Sequence, residues 1–329
     1  MRNAPSLELW ERLYTAMENF KKAKPWEKHW DADIFRIAVD DLDEDLFCSI
    51  LGRNGECMAL AIYIGSNGLK SYVDLSEGRI PESQLMHVQD AILCYIGDRE
   101  ELYKSDLKVI KDLGRKYRGR NEWIYFRRFE PGFVPCELCD IECKLAAIAL
   151  EKVLELVDAV SARKITPKFE EGLVPYAILD NGKYNISLSQ LEVPQNKVLF
   201  IQDELLMQRL KKIKKNKSEI EIDAFYLATP IKDKHDDRAY YPRMFLIADS
   251  KQGLIINQDM YQGKDNDAGV ILNHLIEFIT NYGRPNKIHI RNEDVFSIIV
   301  NLCEELKIEL IPGCNEIEHI EEALMGRMF

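Results

Sequence analysis

No stretch of the 329 residues approaches the roughly 20 consecutive apolar residues that span a bilayer, so no membrane partner is expected. The opening MRNAPSLELWERLY lacks a charged region followed by an apolar one, and no secretion signal is read there. The chain also lacks a P-loop, a Gly-x-Gly-x-x-Gly string and a Gly-x-Ser-x-Gly string. Nucleotide binding and serine-hydrolase chemistry are therefore without their usual marks. Excess positive charge is missing too. The 44 Lys and Arg stand against 55 Asp and Glu, a net charge of −11, and the pI is about 5.2. That balance argues against a surface that binds nucleic acid broadly, and leaves room only for a local basic patch. Internal repeats and low-complexity tracts are absent.

The eight cysteines show no paired framework. Cys48, Cys57, Cys94, Cys303 and Cys314 lie among apolar residues, where a free thiol packs as a small hydrophobe. This pattern suits a reducing compartment, and a cytoplasmic protein is expected. CELCDIEC gathers Cys136, Cys139 and Cys143, the weak metal candidates of the chain. Thiolates two residues apart can form half of a zinc site, but no second Cys-x-x-Cys or His-x-x-x-His completes it. The spacing i, i+3, i+7 equally describes one face of a helix beginning there. Neither a metal nor a cofactor is expected, and a redox dithiol lacks the βαβ surroundings of such sites. The loop DKHDDRAYY gathers Asp233, His235, Asp236 and Asp237, a polar hairpin loop first and a cation loop second. The six His are dispersed.

What the chain does have is ordinary globular composition, 46% hydrophobic and 30% charged, at a length that exceeds one core. Residues 1–160 read as an α+β domain. Trp10, Leu13, Tyr14, Met17 and Phe20 recur at helical spacing after Ser6. Two strands flank Arg53-Asn54-Gly55-Glu56, a hairpin signal. Strands follow at 91–97 and 122–129, a short helix starts at Ser105, and a long helix covers 139–160. Residues 161–218 read as a connecting segment with a hairpin, turning at Asn181-Gly182, and a Lys-rich helix. Residues 219–329 read as β-β-β-α-β-α-β-α, with Asn292 and Asn315 as helix caps. That order implies one mixed sheet with helices on its faces.

The segment GRKYRGRNEWIYFRRF interleaves Arg115, Lys116, Arg118, Arg120, Arg127 and Arg128 with Tyr117, Trp123, Tyr125 and Phe126. Arginine forks grip phosphates and aromatics stack on bases. On a strand, however, Trp123, Tyr125 and Arg127 share one face and Ile124, Phe126 and Arg128 the other, so one face belongs to the core.

The C-terminal order, with NYGRPNKIHI, RNEDVF and LCEELKIEL in sequence, resembles the ribonuclease-H-like fold of integrase and transposase cores. That resemblance implies three metal-binding carboxylates: one on the first strand, one at the end of the fourth, one on the last helix. Asp223 fits the first position. The second falls on Arg291, whose guanidinium cannot ligate a cation and repels one. Glu316 or Glu318 is expected at the third. Glu293 or Asp294 would have to replace the second acid in a divergent nuclease built on Asp223 and Glu318. The whole chain also resembles an uncharacterised bacterial family pairing two domains of unknown function, through its LYTAMENFKKAKPW opening, GDREEL and YYPRMFLIAD. Together these readings favour a cytoplasmic, non-catalytic binding or regulatory protein with a degenerate active site. Its partner would be a protein or a phosphate-containing ligand. The alternatives are a divergent metal-dependent nuclease and a nucleic-acid-binding adaptor using the basic–aromatic patch.

Overall fold

The computed structural model describes residues 2–40, 42–232, 238–263 and 266–326. Its contacts divide the chain into two compact units. The first contains residues 1–78, 89–130 and 135–194, and the second 79–88, 131–134 and 195–329. The DKHDDRAYY candidates Asp233, His235, Asp236 and Asp237 lie outside the described residues.

The first unit is a seven-stranded mixed sheet. Its strands are β1 (Ile34–Ile37), β2 (Leu46–Leu51), β3 (Met58–Ile64), β4 (Ala91–Gly97), β5 (Trp123–Phe129), β6 (Leu173–Asp180) and β7 (Lys183–Gln190). They lie in the order β5-β4-β3-β2-β1-β6-β7, antiparallel except where β6 joins β1 in parallel, Arg36 opposite Tyr176 and Ile37 opposite Ala177. The 173–190 hairpin, expected within a connecting segment, is therefore part of this sheet. It turns where Asp180 faces Lys183, with Asn181 and Gly182 both at positive φ, the backbone that a two-residue hairpin turn demands.

Period-two alternation gives the sheet two cores. Leu60, Ile62, Ile124 and Phe126 pack with α1 (Leu7–Ala23) and the long helix that follows β5. Ala61, Tyr63, Leu93 and Phe129 pack on the other face with Leu69 and Val73 of α2 (Gly65–Ser76). The remaining helices are α3 (Lys104–Asp112) and α4 (Asp140–Ser161). Ser6 caps α1 by accepting from the Leu9 N–H, and Lys24 ends it in the left-handed region.

The second unit is a five-stranded mixed sheet in the order β10-β9-β8-β11-β12. Its strands are β8 (Glu219–Tyr226), β9 (Arg243–Asp249), β10 (Ile255–Tyr261), β11 (Lys287–Ile290) and β12 (Glu309–Pro312), and its helices α5 (Glu204–Lys212), α6 (Asp267–Tyr282), α7 (Glu293–Leu306) and α8 (Asn315–Gly326). β8, β9 and β10 meander antiparallel, while β11 lies parallel to both β8 and β12. The mixed sheet expected from the element order is thus present. One face (Ile220, Ile222, Ala224, Phe245, Ile247, Ile288, Ile290) forms the larger core with α5, α6 and α7. The other holds a small apolar cluster of Phe225, Leu227, Leu246, Ala248, Cys314 and Ile317 beneath α8. Among the described residues, no helix is long and apolar enough to cross a membrane.

Candidate functional site

Three features place the charged groups of the second unit on the small face. Alternation along β8 turns Ile220, Ile222 and Ala224 to the large core and leaves Glu221, Asp223 and Phe225 on the opposite side. β11 does the same, with Ile288 and Ile290 in the core and Arg291 just past its end. Asn292 then starts α7, its side chain accepting from the Asp294 N–H at 2.9 Å, which fixes where the strand stops. Finally, α8 lays Ile317, Glu321 and Leu324 in one stripe toward the sheet.

Arg291 is the centre of what results. Its Nε donates to Asp223 Oδ2 at 2.5 Å, and an Nη donates to Glu321. Asp223 and Glu321 are each only 2% exposed. The other Glu321 oxygen accepts from Ser83 Oγ at 2.8 Å and from Gln84 Nε2 at 2.7 Å. The Gln84 amide is used at both ends. It donates to the Tyr226 carbonyl at 3.0 Å and accepts from the Tyr226 N–H at 2.9 Å, so it extends the end of β8. Asp223 Oδ1 accepts from the Ala224 N–H. Glu221, also buried, accepts from the Ile317 N–H at 2.8 Å and so closes the start of α8.

The electrostatics follow from burial. Desolvation pushes the Asp223 carboxyl above its ordinary value, against the opposing pull of Arg291. Burial also disfavours a charged Arg291, but Asp223 and Glu321 outweigh it and raise its pKa further. The cluster therefore keeps one fixed cation among three buried carboxyl groups: Glu221, Asp223 and Glu321. Such an arrangement orients and stabilises its own members. A hard cation needs several carboxylate or carbonyl oxygens facing one point, and here the Asp223 and Glu321 oxygens are engaged by Arg291, the Ala224 N–H, Ser83 and Gln84. Among the described residues, no group of three or more His, Cys, Asp or Glu side chains is placed to hold a metal ion.

The other expected residues fall elsewhere. The acid on the last helix that reaches Arg291 is Glu321, not Glu316 or Glu318. Glu318 is exposed, because it lies on the helix face away from Ile317 and Glu321. Glu293 is exposed and ion-paired with Arg79 at 3.2 Å, and Asp294 belongs to the first turn of α7. The two carboxylates that pair with Arg291 are Asp223 and Glu321.

The basic–aromatic segment of the first unit does not form one surface. Arg127 is buried and binds Asp106 with both ends of its fork, at 3.0 and 2.7 Å, above the Tyr103 and Tyr125 rings. Arg128 pairs with Asp90 at 2.6 Å. Arg115 bonds Glu11 and Thr15, each at 2.8 Å, and is ion-paired with Glu18. Trp123 is half-buried, packed against the core and Tyr117. Lys116, Arg118 and Arg120 remain exposed. The three cysteines also disperse: the Cys139 N–H donates to Glu142 at the start of α4, Cys143 is fully buried, and Cys136 bridges to Arg128 through the backbone.

A shallow groove of about 380 Å³, lined by Phe200, Ile201, Glu204, Met207, Lys211 and Glu305, lies along α5 and α7. Those helices cover the face of the sheet opposite Arg291, so this concavity and the charged cluster are separate features.

Residues 10–176 match a family described as Domain of unknown function (DUF7309), more than half of the chain. The chain belongs to that family. Residues 206–326 match a second, described as Domain of unknown function (DUF6930). The pairing of two such domains is as expected from the sequence. The second match takes in all of β8 to β12 and the whole Arg291 cluster, while Ser83 and Gln84 come from the stretch matched by the first. No curated protein matches the chain.

Sequence reasoning missed Glu221, Glu321, Ser83 and Gln84, which complete the site. Glu321 carried a signal: it shares the i, i+4, i+7 stripe of Ile317 and Leu324. Gln84 carried none, since its partner Tyr226 is 142 residues away.

Proposed function

We propose that residues 219–326 are a ribonuclease-H-like scaffold that has exchanged metal-dependent catalysis for binding, and that the protein is a non-catalytic binding or regulatory protein of the cytoplasm. The observation that carries this reading is Arg291 between Asp223 and Glu321. The first strand, the end of the fourth and the last helix are the three places where integrase and transposase cores keep their metal-binding acids. Here the middle one is a guanidinium hydrogen-bonded to the other two. Two-metal chemistry needs carboxylates free to bridge cations about 4 Å apart. The half-buried Arg291 fills that space and supplies charge of the wrong sign. Ser83 and Gln84 occupy the remaining Glu321 oxygen, which suits a structural cluster better than a substrate site.

Its partner is a protein or a phosphate-containing ligand rather than broad nucleic acid, given the net charge of −11 and the carboxylates that hold Arg115, Arg127 and Arg128. The test is cleavage of single- and double-stranded DNA and RNA with millimolar Mg²⁺ or Mn²⁺. The expected result is no metal-dependent product. Cleavage abolished by Asp223→Asn would overturn the reading and restore a nuclease.

A further inference from the structure

We propose that the cations of residues 209–217, with Tyr282, form a binding surface for single-stranded nucleic acid, at the end of the second sheet where β8 and β11 begin. Arg291 lies past the other end of β11, so this surface is separate from the charged cluster. The proposal names the phosphate-containing ligand of the non-catalytic reading above and rests on that reading. Arg209, Lys211, Lys212, Lys214, Lys215 and Lys217 fall within nine residues that contain no acid, in a chain of net charge −11. All six are exposed.

Cations at a helix end ordinarily answer the helix dipole, and some of these do. α5, α6 and α7 all finish here, with about half a negative charge each on their free carbonyls. Arg284 donates from Nε to the Ile213 carbonyl at 2.7 Å and from Nη1 to that of Leu306 at 3.0 Å. Lys215 Nζ donates to the Lys307 carbonyl and Asn216 Nδ2 to that of Tyr282, each at 2.8 Å. Arg284 and Lys215 alone therefore exceed the roughly 1.5 negative charges of three helix ends. The neighbouring acids are matched as well: Glu305 pairs with Lys211, Glu309 pairs with Lys287, and Glu304 stands one turn from Lys307. Arg209, Lys212, Lys214 and Lys217 are left over, exposed and without an acidic partner among the described residues.

The backbone that carries them is fixed. Lys215 bridges Arg284 in parallel, the Arg284 N–H donates to the Lys214 carbonyl at 3.1 Å, and the Asn216 N–H donates to the Arg284 carbonyl at 2.8 Å. Gly283, at φ +97°, permits the close approach, since a Cβ there would stand 3.0 Å from the Lys214 carbonyl oxygen. Tyr282 selects a nucleic-acid strand among polyanions. It is 63% exposed, its ring leans on Phe278 at 5.2 Å, and Asn216 holds its carbonyl, so the ring borders the lysines. Cations for the phosphates and an aromatic ring for a base are the two elements of single-strand recognition. An acidic peptide would use the cations alone. The negative charge of the rest of the chain confines the strand to this surface.

The experiment is fluorescence anisotropy of a labelled oligothymidylate of about 16 nucleotides with the full chain in EDTA, so that its outcome is independent of the nuclease assay. Binding is expected at low salt, with log Kobs falling against log salt at a slope of about −3, the value for about four phosphate contacts. Lys212→Gln, Lys214→Gln and Lys217→Gln together should bring the slope to about −1 with an unchanged unfolding midpoint, because these side chains make no ion pair. Tyr282→Ala should weaken binding at least about fivefold at the same slope. Absence of binding at low salt, or a slope that survives the triple variant, overturns the proposal and leaves the non-catalytic reading standing. An affinity unchanged in Tyr282→Ala, or displacement by polyglutamate as readily as by unlabelled strand, also overturns it and gives the surface to an acidic protein.

Discussion

Arg243 is buried and Arg291 half-buried, on opposite faces of the same sheet, and they are neutralised differently. Arg243 begins β9 on the large-core face. Its Nε and Nη bond the two Asp267 oxygens at 2.6 Å each, its guanidinium lies 4.7 Å from the Tyr226 ring centre, and the Tyr261 hydroxyl also donates to Asp267. One cation meets one anion, with every oxygen occupied. Arg291 on the small face meets two carboxylates from different elements, and the surplus negative charge is satisfied by Ser83 and Gln84. A closed fork-to-carboxylate pair is a packing device, since it neutralises itself wherever it is buried. A cation bridging acids from a strand and a helix is instead the feature on which the proposed exchange of catalysis for binding rests.

Removing one partner from each cluster should separate them. Asp267→Ala leaves Arg243 charged and uncompensated in the large core, and is expected to cost about 3–5 kcal/mol in denaturant unfolding, the range for breaking a buried pair. A loss near zero would mean that Arg243 reaches water. Arg291→Met leaves Asp223 and Glu321 facing each other and is expected to cost about 3 kcal/mol by the same reasoning. Adding Asp223→Asn and Glu321→Gln to it should restore most of that loss, because the repelling charges are then gone. If the triple variant is no more stable than Arg291→Met, the guanidinium acts through packing and not through charge.

The amide that completes the second cluster comes next. Gln84→Ala strips the Tyr226 N–H and carbonyl and one Glu321 oxygen of their partner, and an expected loss of about 2 kcal/mol follows from buried groups left unsatisfied. The smallest effect belongs to His87, which packs on Tyr241 at a ring separation of 4.3 Å. Burial lowers its pKa from the ordinary value of 6.5. The unfolded chain therefore binds the proton more readily than the native one. The stability tied to the neutral ring is present above about pH 6.5 and is lost as pH falls through that value toward the lower native pKa. His87→Phe should flatten the stability–pH curve in that acidic window, and an unchanged slope there would show that other groups set it.

The comparison also shows what was legible before the structure. The strand–helix order of residues 219–326 was readable because each element carries its own period and cap: Ile220, Ile222 and Ala224 alternate, and Asn292 precedes α7. Arg291 was readable as a basic residue at the strand end where the resemblance to integrase cores expects an acid. The Asn181-Gly182 turn was readable because few other dipeptides accept that backbone, while Asn54-Gly55 marked a longer loop between β2 and β3 in which Gly55, but not Asn54, takes positive φ. Membership of a sheet was not, so the 173–190 hairpin passed for a connector until β6 was found beside β1. Arg127 and Arg128 read as a phosphate grip because their acids, Asp106 and Asp90, are distant in sequence. The same distance hid Gln84. Glu321 was overlooked for Glu316 and Glu318 because acids at a helix start draw the eye, although burial follows the apolar stripe.

The most direct measurement of the central claim is the thermal midpoint with and without millimolar Mn²⁺, for the wild type and for Arg291→Asp. With Arg291 in place, no metal-dependent shift is expected. In Arg291→Asp, three acids face the same space, and Mn²⁺ should raise the midpoint, with about 2.7 kcal/mol gained at a hundredfold excess over Kd. A wild-type shift that disappears in Asp223→Asn would contradict the account, because it would place a metal where Arg291 is said to exclude one.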